Sequence, residues 1–186
     1  MIEIKNISKK FGKLEVLKNV SVSCNSGQCI ALIGPNGCGK TTLIKSILGM
    51  VIPDSGSMEF NEKSIFGDYL YREKIGYMPQ IGRYPDTMTI GEIIEMVKKI
   101  RNSKDNLDED LFRDFEIEKM LNKQMRTLSG GTTQKISAVL AFMFNPDVLI
   151  LDEPTAGLDP LAAEVLKEKI IKEKGKGKLI LITSHL

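Results

Sequence analysis

The chain has 186 residues, 42% of them hydrophobic and 27% charged, with 26 lysines and arginines against 24 acids. That length fits one domain with room for an embedded subdomain, and it buries a core without disulfides or a structural metal. A net charge of +2 gives no basis for a nucleic-acid partner, three cysteines without a CxxC pair argue against a disulfide framework or a cysteine zinc site, and a single histidine excludes a multi-histidine metal site.

In chain order, residues 1–12 lack the apolar core of a signal peptide. Ile2 and Ile4 alternate with polar residues, Val16–Val22 repeats apolar positions, and Ser55-Gly56 turns into Met58–Phe60. These short pieces predict a small antiparallel sheet at the N-terminal end. Between them, Cys29–Ile33 has no polar alternation, as do Val148–Leu151 and Leu179–Thr183. Such runs predict parallel strands buried on both faces.

Helical spacing marks Leu43, Ile44, Ile47 and Leu48, with Gly49 as a cap. It recurs at Ile136, Val139, Leu140 and Met143 before Asn145-Pro146, and again at Leu161, Val165, Leu166 and Ile170. Strands alternating with helices predict an α/β core. Ile90–Ile100 and Leu107–Leu121 read as two helices around a polar break at Asn102–Asn106, with no strand signal between about 86 and 127. They form a helical insertion. Lys167–Lys178 reads as a solvated helix end. The longest apolar run, Ala138–Phe144, has seven residues, well short of the roughly 18 of a spanning helix. The chain is therefore expected to be soluble and cytoplasmic, any membrane role coming through a partner.

Gly34-Pro35-Asn36-Gly37-Cys38-Gly39-Lys40-Thr41 fits G-x-x-x-x-G-K-[ST], after a predicted strand and before a predicted helix starting near Thr42. Its glycines let backbone N–H groups face an anion, Lys40 adds a point charge, and the Thr41 hydroxyl suits Mg²⁺. The competing reading, a glycine-rich turn, does not account for the flanking strand and helix. The motif names a nucleotide but not its base. The nearest guanine-type motif, Asn122-Lys123-Gln124-Met125, lacks the acid, which favours adenine. Phe11 either stacks on that base or packs in the core.

Val148–Leu151 ends in Asp152-Glu153-Pro154. Asp152 is placed to hold Mg²⁺ through water and Glu153 to deprotonate an attacking water; the bland alternative is a pair of solvated acids. Leu128-Ser129-Gly130-Gly131-Thr132-Thr133-Gln134-Lys135 opens the next helix with an N-cap serine and two glycines, a second anion-binding helix start.

With these motifs, Gln80, Gly157-Leu158-Asp159 and His185 in order, the sequence resembles the ATP-binding subunit of ABC transporters over essentially its whole length. The resemblance implies a RecA-like P-loop NTPase core, an N-terminal antiparallel β subdomain and an inserted helical signature subdomain at about 86–135, all in one domain of residues 1–186. It implies ATP and Mg²⁺ as cofactors, with Thr41, Gln80 and Asp152 at the metal and Gly34, Asn36, Gly37, Cys38, Gly39, Lys40, Thr41 and Thr42 around the phosphates. Catalysis would fall to Glu153, His185, Lys40 and Gln80.

Phe11 takes the place of the family's base-stacking aromatic. Ser129, Gly131 and Asp159 would serve the nucleotide of a second subunit in a head-to-tail, ATP-dependent homodimer. The implied partners are that second ATPase subunit and an integral membrane permease docked near Gln80–Pro85, with the chain peripheral on the cytoplasmic face of the membrane and no nucleic acid bound. Transport of an exporter-like or copper-processing type is expected; the alternative is a soluble ATPase switch of DNA repair or translation. Two departures stand out: Thr132 replaces the family's glutamine, and the sequence ends one residue after His185, as a truncated chain would.

Overall fold

The computed structural model describes residues 1–102 and 106–184. The predicted break at Asn102–Asn106 lies partly, and His185 wholly, outside the described residues.

Two four-stranded sheets organise the chain. The first is antiparallel. It joins β1 (Ile2–Phe11), β2 (Leu14–Cys24), β4 (Ser55–Phe60) and β5 (Lys63–Ser64) in the order β2-β1-β4-β5. The second is parallel and joins β3 (Cys29–Ile33), β6 (Ile75–Met78), β7 (Val148–Asp152) and β8 (Leu179–Ser184) in the order β3-β8-β7-β6.

The central strands β7 and β8 are the unalternating apolar runs of the sequence, and both their faces are covered. Val148, Ile150, Leu179 and Leu181 join one core with α1 (Lys40–Ile47) and the antiparallel sheet. Leu149, Leu151 and Ile180 join the other, with α2 (Ile90–Ile100), α3 (Asp110–Asp114), α4 (Gly130–Phe142) and α5 (Pro160–Gly175). Period-2 geometry sends alternate residues of one strand into two different cores, so neither face tolerates a polar position.

Three expectations change, and one strand was not expected. Cys29–Ile33 is not buried on both faces: β3 is the outer strand of its sheet among the described residues, and Ile33 is 53% exposed. The sequence reading passes over β6. Its four residues are too short to show a period, and its glycine looks like a breaker. A Cβ on Gly76 would lie 2.0 Å from the Ala141 carbonyl oxygen, so glycine lets α4 pack directly on the strand.

The predicted helix over Leu107–Leu121 is broken. α3 spans five residues, Glu116 takes φ +52°, and a 3₁₀ turn follows at Ile117–Met120. In one continuous helix Ile117 would sit about 240° around from Leu111; the break returns it to the core, where Leu111, Phe115 and Ile117 are all buried. Finally, the lysine-rich end of α5 is not simply solvated. Lys169 and Glu173 are buried, and Lys169 pairs with Asp108 at 2.5 Å, Asp110 at 2.9 Å and Glu173 at 3.1 Å.

Local signals set the helix starts. Thr89 and Glu92 form a reciprocal capping box on α2, and Asp159 caps α5 ahead of Pro160. Gly49, at φ +66°, ends α1.

Candidate nucleotide site

The loop between β3 and α1 is Gly34–Gly39. Gly39 takes φ +100°, and a Cβ there would stand 2.7 Å from the Val16 carbonyl oxygen, so only glycine fits. No side chain caps α1 and its first turn carries no acid, so the positive end of the helix dipole favours an anion there. The Lys40 ammonium turns into the loop and donates to the carbonyl oxygens of Gly34 at 2.5 Å and Pro35 at 3.1 Å. The Cys38 sulfur lies 3.9 Å from that ammonium. A cation held against a curl of backbone at a helix N-terminus suits a phosphate chain.

The acids lie across from this loop. Asp152 ends β7 and is 3% exposed. Thr183, its neighbour on β8, donates its hydroxyl to Asp152 Oδ1 at 2.5 Å and accepts from the Glu153 N–H at 2.9 Å. Glu153 takes φ +49°, a left-handed conformation unusual for a non-glycine residue and typical of functional turns. It breaks the strand's alternation, and Glu153 Oε2 then accepts from Gln80 Nε2 at 2.9 Å. Burial, then the Asp152 charge, pushes the Tyr77 phenol up to about 12, so it stays protonated beside the pair.

A cleft of about 270 Å³ joins these parts, lined by Phe11, Leu14, Val16, Asn36, Gly37, Gly39, Lys40, Thr41, Thr42, Gln80 and Glu153. Phe11 is half exposed, which answers the alternative of a core residue. Asp152, Gly34 and Cys38 are not among its lining residues. Lys40, Thr41 and Thr42 thus meet Glu153 and Gln80 across one space.

Ser129, Gly131 and Asp159 do not line that cleft. Ser129 caps α4 by accepting from the Thr132 N–H at 3.2 Å, and the Thr132 hydroxyl lies 2.9 Å from the Ser129 hydroxyl. A Cβ on Gly131 would stand 2.7 Å from the Gly157 carbonyl oxygen, so the start of α4 sits directly on the loop after the acids. Asp159 pairs with Lys135 at 2.8 Å and accepts from the Ala162 N–H at 2.9 Å. The Lys135 ammonium first, then that N–H, hold its carboxyl below the usual range.

Sequence reasoning missed Thr183 and the Lys135 partnership. Both depend on elements distant in the chain; only the polar threonine ending an apolar run hinted at the first.

A family model described as ABC transporter matches residues 17–156. The Nod factor export ATP-binding protein I of Ralstonia nicotianae is 31% identical over all of this chain, which spans 59% of that protein. The ABC-type transporter ATP-binding protein EcsA of Bacillus subtilis is 33% identical over all of this chain and 77% of its own length. Among solved structures, an ATP-binding subunit of an ABC transporter superposes with a TM-score of 0.91 at 32% identity, over the whole chain and 79% of that structure. A dimeric cassette in a post-hydrolysis state bound to ADP and Pi superposes at 0.88 with 25% identity, over the whole chain and 88% of its own. No helix among the described residues is long and apolar enough to cross a membrane.

Proposed function

This chain belongs to the ABC transporter ATP-binding family, and on that premise we propose that it hydrolyses ATP with Mg²⁺ to power an integral membrane permease in exporter-type transport. The observation that carries the reading is the single cleft holding an exposed aromatic ring, a phosphate loop and the Gln80–Glu153 pair.

The cleft residues then divide the work. Phe11 stacks on the base, with Leu14 and Val16 as an apolar wall. The loop around Gly34, Asn36, Gly37, Cys38 and Gly39, with Lys40 and Thr42, holds the phosphates. The donor set fits a hard cation: the Thr41 hydroxyl, Asp152 acting through water, and the Gln80 amide oxygen, its nitrogen being engaged by Glu153. Mg²⁺, when bound, neutralises charge developing on phosphate oxygens. Glu153 takes the proton of the attacking water, while Gln80 fixes the carboxylate that receives it. The family resemblance assigns His185, which lies outside the described residues, to the terminal phosphate.

Ser129 and Gly131 lie outside the cleft of their own chain, which supports a head-to-tail pair in which they complete a second copy's site, with Asp159 at that boundary. A dimeric cassette among the structural relatives supports the pairing of two copies. The permease docks near Gln80–Pro85 and holds the chain on the cytoplasmic face of the membrane. The helical unit at about 86–135 works as one subdomain within the domain of residues 1–186. Relatives named for Nod factor export favour the exporter reading over copper processing and over a soluble switch.

The test is Glu153→Gln. ATP binding is retained and phosphate release slows by roughly 10²–10⁴-fold. Near-normal turnover refutes the assignment.

A further inference from the structure

The ring of Phe11 sits at the very end of β1, where the sheet stops holding it on one side. β4 pairs with β1 only as far as Ser8↔Ser55. Beyond that point Lys9, Lys10 and Phe11 pair with β2 alone, and the register slips between Ile7 and Lys9 and again between Lys9 and Lys10. A strand end with one neighbour and an irregular ladder does not by itself fix the direction of a half-exposed ring.

Asp54 stands where the missing neighbour would be. Its N–H donates to the Ser8 carbonyl oxygen at 2.9 Å. Its Oδ2 accepts from the Lys10 N–H at 2.7 Å, the backbone bond that β4 no longer supplies. Its Oδ1 accepts from the Lys9 ammonium at 2.7 Å. Lys9 and Phe11, two apart in a strand, share a face, and the ammonium lies 5.5 Å from the ring centroid. The side chain of Lys9 is only 16% exposed. The Lys9 ammonium first, then the Lys10 N–H, hold the Asp54 carboxyl below its ordinary range. Behind it, Gly56 at φ +90° brings the chain onto β1, where a Cβ would stand 2.4 Å from the Lys5 carbonyl oxygen.

We propose that Asp54 and Lys9 are positioning residues for nucleotide binding: Asp54 replaces the absent strand, and Lys9 holds the Phe11 ring over the base position. The proposal rests on the base-stacking reading of Phe11 above. An isolated surface ion pair is worth little. Here both carboxylate oxygens act on the one segment that carries the ring, and a cation over an aromatic face fixes its plane. The effect belongs to the base alone, because the phosphate loop is held by other residues.

That separation makes the test. Titration calorimetry compares Mg-ATP with Mg-tripolyphosphate, which has the phosphates and no base, on Lys9→Met, Asp54→Asn, Lys9→Arg, Phe11→Ala and the unaltered chain. Lys9→Met and Asp54→Asn weaken ATP by roughly three- to tenfold and leave tripolyphosphate unchanged, which also shows that the fold is intact. Lys9→Arg keeps ATP affinity. The sequence has no tryptophan, so Phe11→Trp reports the ring directly: its fluorescence anisotropy falls when Asp54→Asn is added. Unchanged ATP affinity in both variants, or equal losses for ATP and tripolyphosphate, overturns the proposal. If Phe11→Ala itself leaves ATP binding unaltered, the base-stacking reading fails and the positioning role goes with it. If Phe11→Ala weakens ATP and Asp54→Asn does not, only the positioning role is lost.

Discussion

Lys169→Met keeps most of the side-chain stem and removes the ammonium from the centre of a charge cluster. Lys169 is 4% exposed; it ties α5 to the start of α3 through Asp108 and Asp110 and pairs with Glu173 on its own helix. Burial disfavours its charge, but the three carboxylates outweigh burial and raise its pKa. Without it, Asp108 keeps the Asp110 N–H at 3.1 Å and Lys176 at 3.8 Å, whereas Glu173 still has Lys176 at 2.6 Å and Lys178 at 2.5 Å. Breaking a buried pair costs about 3–5 kcal/mol. The surviving lysines place this case at the lower end, about 3 kcal/mol, or roughly 6–12 °C in Tm for a chain of this size.

The same cluster sets an acid limit. Burial alone would raise the Glu173 pKa, but Lys176, Lys178 and Lys169 together bring it down from 4.5 to about 2. A folded value below the unfolded one means stability fully present above pH 4.5 and lost as pH falls towards 2. That shift corresponds to about 3 kcal/mol. Urea unfolding followed by far-UV circular dichroism, at pH 7 and through the acid range, measures both quantities. A Lys169→Met chain within about 1 kcal/mol of the unaltered one refutes the reasoning and makes the cluster a solvated surface after all.

Three further outcomes are expected. Thr183→Val removes the donor to Asp152 and the acceptor for the Glu153 N–H; phosphate release in a turnover assay falls about tenfold or more while ATP affinity, read by calorimetry, holds. The base side of the cleft offers Phe11, Leu14 and Val16, with no side-chain hydrogen-bonding group among them, so competition binding places GTP within about tenfold of ATP; a strong GTP preference contradicts the base reading. Lys40→Ala and Ser129→Arg chains are each nearly inactive alone, and mixing them restores ATP-dependent dimers seen by light scattering. A dilute, monomeric Ser129→Arg chain with normal turnover rules out a site shared between copies.

The unequal legibility of the sequence has a physical cause. A stretch of strand covered on both faces must be apolar, so Val148–Leu151 and Leu179–Ile182 stand out as unbroken runs. The phosphate loop was visible because its glycines, lysine and hydroxyl stand together in the chain. What escaped notice was set by elements meeting in space. β3 is an unbroken apolar run like Val148–Leu151 but lies at the edge of its sheet among the described residues, and sequence carries no label for strand order. β6 was hidden because Gly76 answers to Ala141, sixty-five positions away. Lys169 and Glu173 look like any solvated pair at i, i+4; only their burial against Asp108 and Asp110 separates them from Lys167 and Lys172. Thr183 was legible as a polar end to a strand but not as the link between two acids.

The position of α4 draws the scattered site residues into one mechanical argument. Its first turn rests on the Gly157 carbonyl through Gly131, and Lys135 on its next turn holds Asp159. The segment 154–159, which leads directly from Glu153 to α5, is therefore fixed to this helix. Further along, the Ser137 hydroxyl lies 2.9 Å from the Tyr84 hydroxyl, and a Cβ on Gly82 would stand 2.3 Å from it. The segment following Gln80 is thereby fixed to the same helix. Gln80 and Glu153 meet at 2.9 Å, yet they reach each other from opposite flanks of α4. A tightly packed helix shifts as a body rather than deforming locally. A displacement of the Ser129–Gly131 end thus bears on both sides of the Gln80–Glu153 hydrogen bond, although neither Ser129 nor Gly131 lines the cleft.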